Sequence, residues 1–138
     1  MAISAAMVKE LRERTGLGMM DCKKALAEAG GDMDQAIEDL RKKSSLKAAK
    51  KAGRTAANGL LGVKSSEDGT RIALVEVNIE TDFAAKNEKF IAFVGKVAQT
   101  LFDSGDMESV TQILNAERET LVQEIGENMA IRRGALVK

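Results

Sequence analysis

The chain has 138 residues, and its 21 Lys and Arg balance 21 Asp and Glu, so the formal net charge is zero. With no His and a single Cys, it cannot form a Cys–His nucleophile, an internal disulfide or a thiolate zinc site. No apolar stretch approaches the roughly 18 residues of a membrane span, and the start is charged too early for a secretory signal. We predict a cytoplasmic, non-membrane protein without catalytic residues, metal or cofactor.

Charge is distributed unevenly along the chain. Residues 1–54 carry 12 basic and 8 acidic groups, whereas residues 55–138 carry 9 basic and 13 acidic groups. The change follows residues 41–54, which contain seven basic groups and no acid. We therefore predict a domain boundary near residue 55. The basic stretch has the charge to bind nucleic acid, but it lacks an aromatic residue for base stacking, which favours a solvated helix face.

Residues 1–54 show the apolar spacing of three short helices. Ser4 is placed to cap the first helix, and Asp32 with Gln35 resembles a capping box for the third. The apolar positions of the three helices are Met7, Val8 and Leu11; Cys22, Ala25, Leu26 and Ala29; and Met33, Ala36, Ile37 and Leu40. Helices of about ten residues with such stripes predict a compact bundle. Residues 45–57 are expected to continue as a helical linker.

Residues 55–138 begin with a strand-like period and then return to helices. An apolar run at 59–64, a polar turn and an alternating segment at 71–79 predict a hairpin with one buried face. Its inward positions are Ala73, Val75, Val77 and Ile79. Two helices should follow, the first capped by Asn87 and the second closed by Gly126. With a last strand from Met129 to Val137, three strands and two helices predict an α+β fold.

Three polar groups are candidates for reactive sites. Cys22 lies on the apolar face of the second helix, where a small core residue is the favoured interpretation. Glu80 and Asp82 follow a strand and resemble a carboxylate pair for acid–base chemistry. Because no pocket or further polar partner is evident, solvated loop acids are favoured over a catalytic pair.

Two apolar features do not fit the stripes. Met19 and Met20 open the second helix; one is expected to close the bundle core, and the other either joins it or forms an adaptable docking surface. Phe83 lies between a strand end and a helix cap and has no place in either period. Such a ring is either tucked over the sheet edge or presented to a partner as an anchor.

Four stretches, spread in order along the whole chain, resemble the N-terminal half of bacterial elongation factor Ts. They are VKELRERTG with GMMDCKKAL in residues 8–26, KAAKKA at 47–52, ETDF with AKN in 80–87, and IGEN with IRR in 125–133. No single stretch is specific, but together they are. The resemblance implies a guanine-nucleotide exchange factor of elongation factor Tu in translation elongation, which is not an enzyme.

The resemblance also implies an architecture. Residues 1–54 would form a ubiquitin-associated-like three-helix domain with a basic linker, and residues 55–138 would form the N-terminal half of the family's core. The small domain would dock on the G domain of elongation factor Tu, with Met19 and Met20 in contact. Neither a membrane nor direct nucleic-acid binding is expected.

Further site residues are implied by the same resemblance. Asp82 and Phe83 would enter the partner near its magnesium and nucleotide site. Ile125 and Gly126 would contact the partner's phosphate-binding side.

The family normally continues beyond the position of Lys138, so the chain is either a fragment or a short form. In the second case its last strand would need a partner edge, which makes self-association through that strand possible. A competing hypothesis is a ubiquitin-associated-like interaction module without exchange activity. RNA binding through residues 41–54 is a third.

Overall fold

The computed structural model describes residues 2–138 and confirms the α+β fold. The elements are α1 (Ala5–Thr15), α2 (Met19–Glu28), α3 (Met33–Lys51), β1 (Asn58–Ser65), β2 (Ile72–Ile79), α4 (Glu88–Ser104), α5 (Met107–Ile125) and β3 (Met129–Val137). A short 3-10 turn, Ala84–Lys86, precedes α4. Within the described residues, no helix has the length and apolarity to cross a membrane.

The first three helices pack through their predicted stripes into a core of their own, which we call the bundle core. Its buried members are Val8, Leu11, Leu17, Cys22, Ala25, Leu26, Ala36 and Leu40. Ser4 caps α1 by accepting from the Met7 N–H at 3.2 Å. Asp32 caps α3 by accepting from the Gln35 N–H. The predicted capping box is only half formed. The Gln35 side chain donates to Asp39 instead of accepting from the Asp32 N–H.

The third helix is longer than predicted and ends earlier than the predicted linker. It runs for 19 residues to Lys51, and residues 52–57 are not helical. The physical reason is packing: Ala48 is buried against the second part of the chain, and the buried Ser44 hydroxyl donates to Gln123 of α5. The helix therefore persists while α5 covers it and ends where the chain turns into β1.

The sheet has the order β1-β2-β3, and both pairs are antiparallel. Helices α4 and α5 cover one face, and their buried side chains meet Ala73, Val75, Val77 and Ile79 in a second core, the main core. Gly62 of β1 permits this close approach, since a Cβ there would lie 2.8 Å from the Val94 side chain of α4. The opposite face leaves Leu61, Val63 and Leu74 exposed.

A candidate protein-docking surface

The loop that joins β2 to α4 presents Phe83 to solvent. Residues 80–83, here called the anchor loop, leave the sheet at Ile79 and lead into the 3-10 turn. Ala84 and Ala85 of that turn are buried in the main core, whereas the Phe83 side chain is 86% exposed. Of the two interpretations drawn from the sequence, the tucked ring is wrong for the free chain.

The anchor loop is held by Glu127, which lies in the turn between α5 and β3. The Glu127 carboxylate accepts from the Thr81 N–H at 3.0 Å and from the Thr81 hydroxyl at 2.9 Å. The same hydroxyl accepts from the Ala84 N–H at 3.1 Å. Thr81 and Ala84, which flank Asp82 and Phe83, are therefore both held by hydrogen bonds. Asp82 and Phe83, between them, are exposed to solvent.

Glu80 makes a second connection between the same segments. Its carboxylate accepts from the Asn128 N–H at 2.9 Å and lies 3.6 Å from the Arg54 guanidinium. The Asn128 side chain, which is buried, donates to the Arg54 carbonyl at 2.9 Å. The prediction of a solvated loop acid is thus wrong for Glu80, whose side chain is only 19% exposed.

Asp82 differs from Glu80 in its surroundings. It is exposed, and among residues 2–138 its side chain makes neither a hydrogen bond nor an ion pair. The two carboxylates therefore do not form an acid–base pair. Within the described part of the chain, no cluster of three or more His, Cys, Asp or Glu side chains is arranged to hold a metal ion.

The end of α5 lies beside Phe83. Gly126 caps the helix with φ at 85°, and its N–H donates to the Val122 carbonyl at 2.8 Å. Ile125 is half-buried and packs on the main core. A depression of about 440 Å³, here called the Phe83 depression, is bordered by both Phe83 and Ile125. The structure thus brings together two of the segments that the sequence singled out.

Met19 and Met20 lie at the exposed start of α2. Their side chains are 56% and 74% exposed, so the prediction that one of them closes the bundle core is wrong. Leu17, which is buried, is among the residues that complete that core instead. Both methionines are therefore on the solvent side of α2, which begins after the N-cap residue Gly18.

A second depression connects the methionine-bearing end of α2 to the end of α5. It has a volume of about 470 Å³ and lies between the bundle and the second part of the chain, so we call it the seam depression. Gly18 and Asp21 border it on the α2 side. Glu124 and Ile125 border both depressions. The two depressions are therefore adjacent, with Phe83 on the border of one and the start of α2, which carries the exposed methionines, on the border of the other.

Cys22 confirms its predicted place in the bundle core. Its side chain is fully buried, and burial raises the pKa of the Cys22 thiol, against a smaller opposing effect of a hydrogen bond with Thr15. A protonated, inaccessible thiol is a poor nucleophile. Cys22 therefore contributes packing and no chemistry.

Thr81, Glu127 and Asn128 are the site residues that analysis of the sequence missed. They follow no apolar period, and in the sequence they stand out only as members of the ETDF and IGEN motifs. The register of the sheet explains why they meet. Ile79 pairs with Met129, which places Glu80 beside Asn128. Two predicted antiparallel strands with known ends would have brought the two motifs together.

Comparison with known proteins shows which family this chain resembles in sequence. The sequence model of the family described as Elongation factor TS matches residues 80–138. Elongation factor Ts of Hahella chejuensis is 57% identical over 139 residues, covering 99% of this chain and 49% of the relative. Elongation factor Ts of Arthrospira platensis is 50% identical, covering 99% of this chain and 59% of the relative.

A third relative, elongation factor Ts of Teredinibacter turnerae, is 56% identical over 141 residues, covering the whole chain and 48% of the relative. The chain spans about half the length of the curated relatives it matches. The resemblance to the elongation factor Ts family is confirmed, and the chain is a homologue of about half of such a factor.

Proposed function

We propose that the chain acts as a guanine-nucleotide exchange factor for elongation factor Tu in translation elongation. It would promote GDP release by inserting Asp82 and Phe83 near the partner's magnesium site. The similarity to proteins named elongation factor Ts supports the proposal. The observation that carries it is the 86% exposure of Phe83 on a tied loop, since a large apolar anchor displayed in water is typical of a docking surface.

Exchange by this route requires no covalent chemistry, so the proposed protein is not an enzyme and needs no cofactor or metal of its own. It must bind the nucleotide-free partner more tightly than the loaded one, and linkage then weakens nucleotide binding by the same factor. A coupling of about 4 kcal/mol corresponds to roughly a thousandfold weakening. Burying one Phe side chain supplies about 2–3 kcal/mol of that amount.

The remaining contacts are proposed along the two adjacent depressions. Ile125 and Gly126 border or adjoin the Phe83 depression and would face the partner's phosphate-binding side. Met19 and Met20 would rest on the partner's G domain, because flexible, exposed thioether side chains adapt to an apolar surface. Binding would bury four apolar or backbone positions that the free chain leaves accessible.

We propose the division of the chain that the sequence predicts. Residues 1–54 would be a ubiquitin-associated-like domain with its basic linker, and residues 55–138 the N-terminal half of the family's core. The separate bundle core and main core support this division. Ala48 belongs to the main core, so the linker would be packed rather than free. The proposed location is the cytoplasm, without membrane or direct nucleic-acid contact.

Self-association through the C-terminal strand is a further part of the proposal. β3 is an edge strand, and among residues 2–138 no strand pairs with its outer edge. Arg132 and Arg133 lie exposed on it, and charges on an edge oppose pairing. The contact should therefore be weak, with dimers only at concentrations on the order of 0.1 mM. Sedimentation equilibrium that finds monomer alone above that concentration would contradict it.

Mixing the chain with GDP-loaded elongation factor Tu tests the proposal against its alternative, an interaction module without exchange activity. Complex formation and release of labelled GDP are followed together. Accelerated release supports exchange, whereas binding without release supports the interaction module. In a separate experiment, RNA replaces elongation factor Tu. Binding of the chain to RNA that is lost steeply with added salt would favour a nucleic-acid role for residues 41–54.

A further inference from the structure

We infer that Glu127 is a positioning residue that holds Phe83 in its displayed position by acting through Thr81. This inference rests on the proposed function in one respect, namely that the display of Phe83 matters for exchange. Its structural part concerns the free chain alone. It can therefore be tested separately from the proposed function.

An exposed Phe needs a restraint because its most favourable nearby position is against other apolar groups. The Phe83 depression offers such a position, with Ala84 and Ile125 among the residues on its border. Phe83 borders this space and remains 86% exposed. Side-chain preference alone would draw the ring toward Ile125, so the backbone must hold it away.

The contacts of Glu127 supply that restraint. Both carboxylate oxygens face Thr81, with the Thr81 hydroxyl 3.2 Å from Oε1 and 2.9 Å from Oε2, and with the N–H 3.0 Å from Oε1. The Thr81 hydroxyl then accepts from the Ala84 N–H at 3.1 Å. A carboxylate suits this position because it accepts only, and hydrogen bonds to a charged acceptor are the stronger kind.

The support for Glu127 is itself rigid. Ile79 and Met129 pair across the sheet and are both buried, with exposures of 0% and 1%. They fix where β2 ends and where β3 begins. Asn128, next to Glu127, is also fixed by its N–H bond to Glu80 and its side-chain bond to the Arg54 carbonyl. Glu127 thus transfers the rigidity of the main core to a loop that lies outside it.

Rigidity of this kind matters for binding because a loop that is ordered in advance loses less entropy in the complex. Releasing the residues between Thr81 and Ala84 would let Phe83 sample many positions, of which few fit the partner. The apparent affinity falls with the fraction of competent chains. We expect about a tenfold loss, and the ring itself would still be present.

The test uses the full 138-residue chain and four variants. Thr81→Val keeps the shape of the side chain and removes the hydroxyl, and Glu127→Ala removes the acceptor. Thr81→Ser restores the hydroxyl. Thr111→Val is the matched control, since it makes the same chemical change at an exposed helical Thr whose hydroxyl bonds only within α5.

Backbone ¹⁵N relaxation of the free variants is the readout that does not depend on any partner. We expect order parameters at residues 82–84 to fall from about 0.85 to below about 0.6 in Thr81→Val and Glu127→Ala. They should be retained in Thr111→Val and recovered in Thr81→Ser. Unchanged order parameters in either loosened variant, provided that it is folded, would overturn the inference, so one folded variant of the two is enough to decide it.

GDP release from elongation factor Tu at subsaturating chain is the second readout, with about a tenfold slowing expected in the loosened variants and recovery in Thr81→Ser. The positioning role would be overturned if a loosened variant has a mobile loop but releases GDP at the full rate, while the separate variant Phe83→Ala slows release. A mobile loop together with no effect of Phe83→Ala would instead contradict the proposed function. The loop part of the inference would then stand.

Discussion

Ile79 of β2 and Met129 of β3 face each other at the last register position of their ladder, and both side chains are buried in the main core. Each of the two residues adjoins a segment of the candidate site in the chain. The anchor loop begins directly after Ile79, and residues 125–128 end directly before Met129. One buried pair therefore sets the distance between Phe83 and the end of α5.

Truncation of Met129 should be costly for stability. Met129→Ala removes a side chain that is 1% exposed, and such core truncations lower the free energy of unfolding by about 2–5 kcal/mol. Leu61→Ala is the control, since Leu61 is 68% exposed on the outer face of the sheet, and should stay within about 0.5 kcal/mol. Urea denaturation measures both. A loss below about 1 kcal/mol for Met129→Ala would mean that this pair does not support the site.

Gly126, at the end of α5, and Gly95, within α4, provide a matched comparison of backbone strain. A Cβ at Gly126 or at Gly95 would meet no atom within 4 Å, but only Gly126 has a positive φ, 85°. Gly126→Ala should therefore destabilise by about 1 kcal/mol through backbone strain alone. Gly95→Ala, within α4, should stabilise by about 0.5–1 kcal/mol. Equal shifts in urea midpoint for the two variants would refute the role assigned to the left-handed cap.

The turn between β1 and β2 contains a carboxylate with a lowered pKa. Asp68 accepts from the Ser66 hydroxyl at 2.7 Å and from the Thr70 hydroxyl and N–H. These bonds lower the pKa of Asp68 from 3.8 to about 2. Because the folded pKa is the lower one, the stabilisation is fully present above about pH 3.8 and is lost as the pH falls through about 2.

Carboxyl ¹³C shifts followed by NMR through an acid titration measure this pKa directly. We expect the Asp68 carboxyl to titrate near pH 2 and Asp68→Asn to remove that part of the acid sensitivity. A midpoint near 3.8, the unperturbed value, would mean that the turn bonds do not persist in solution.

The exposed methionines should contribute affinity rather than exchange. Met19 and Met20 lie exposed at the start of α2, and their neighbours Gly18 and Asp21 border the seam depression, as Ile125 does. Changing both to Ser should weaken binding to elongation factor Tu by about tenfold, with GDP release at saturating chain unchanged. Release that slows at saturation while affinity is preserved would reverse the assignment. Titration calorimetry and stopped-flow release separate the two quantities.

The parts of the fold that were predictable are those whose signal is local. The strand Met129–Val137 and the stripe of α4 coincide with the predictions because period and capping residues lie within each segment. The length of α3 was not predictable, since Ala48 and Ser44 keep it helical through contacts with distant elements. Tertiary packing, rather than propensity, decides where such a helix ends.

The candidate site was partly predictable for the same reason. Phe83 stood out because it fits no stripe, and its 86% exposure agrees with that observation. The role of Glu80 was missed because its partner, Asn128, lies 48 residues away in the chain. Met19 and Met20 were ambiguous because a helix start offers too few turns to define a buried face.

The central claim, that the displayed ring of Phe83 drives nucleotide exchange, is tested most directly by GDP release with Phe83→Ala. Ile113→Ala is the matched control: Ile113 is 61% exposed on α5, about 18 Å along the helix from Ile125. Circular dichroism and urea midpoints establish that both variants are folded. The account predicts that Phe83→Ala slows release by at least about tenfold, as expected when 2–3 kcal/mol of burial is lost, while Ile113→Ala leaves it unchanged. Release by a folded Phe83→Ala chain at the unmodified rate would contradict the account.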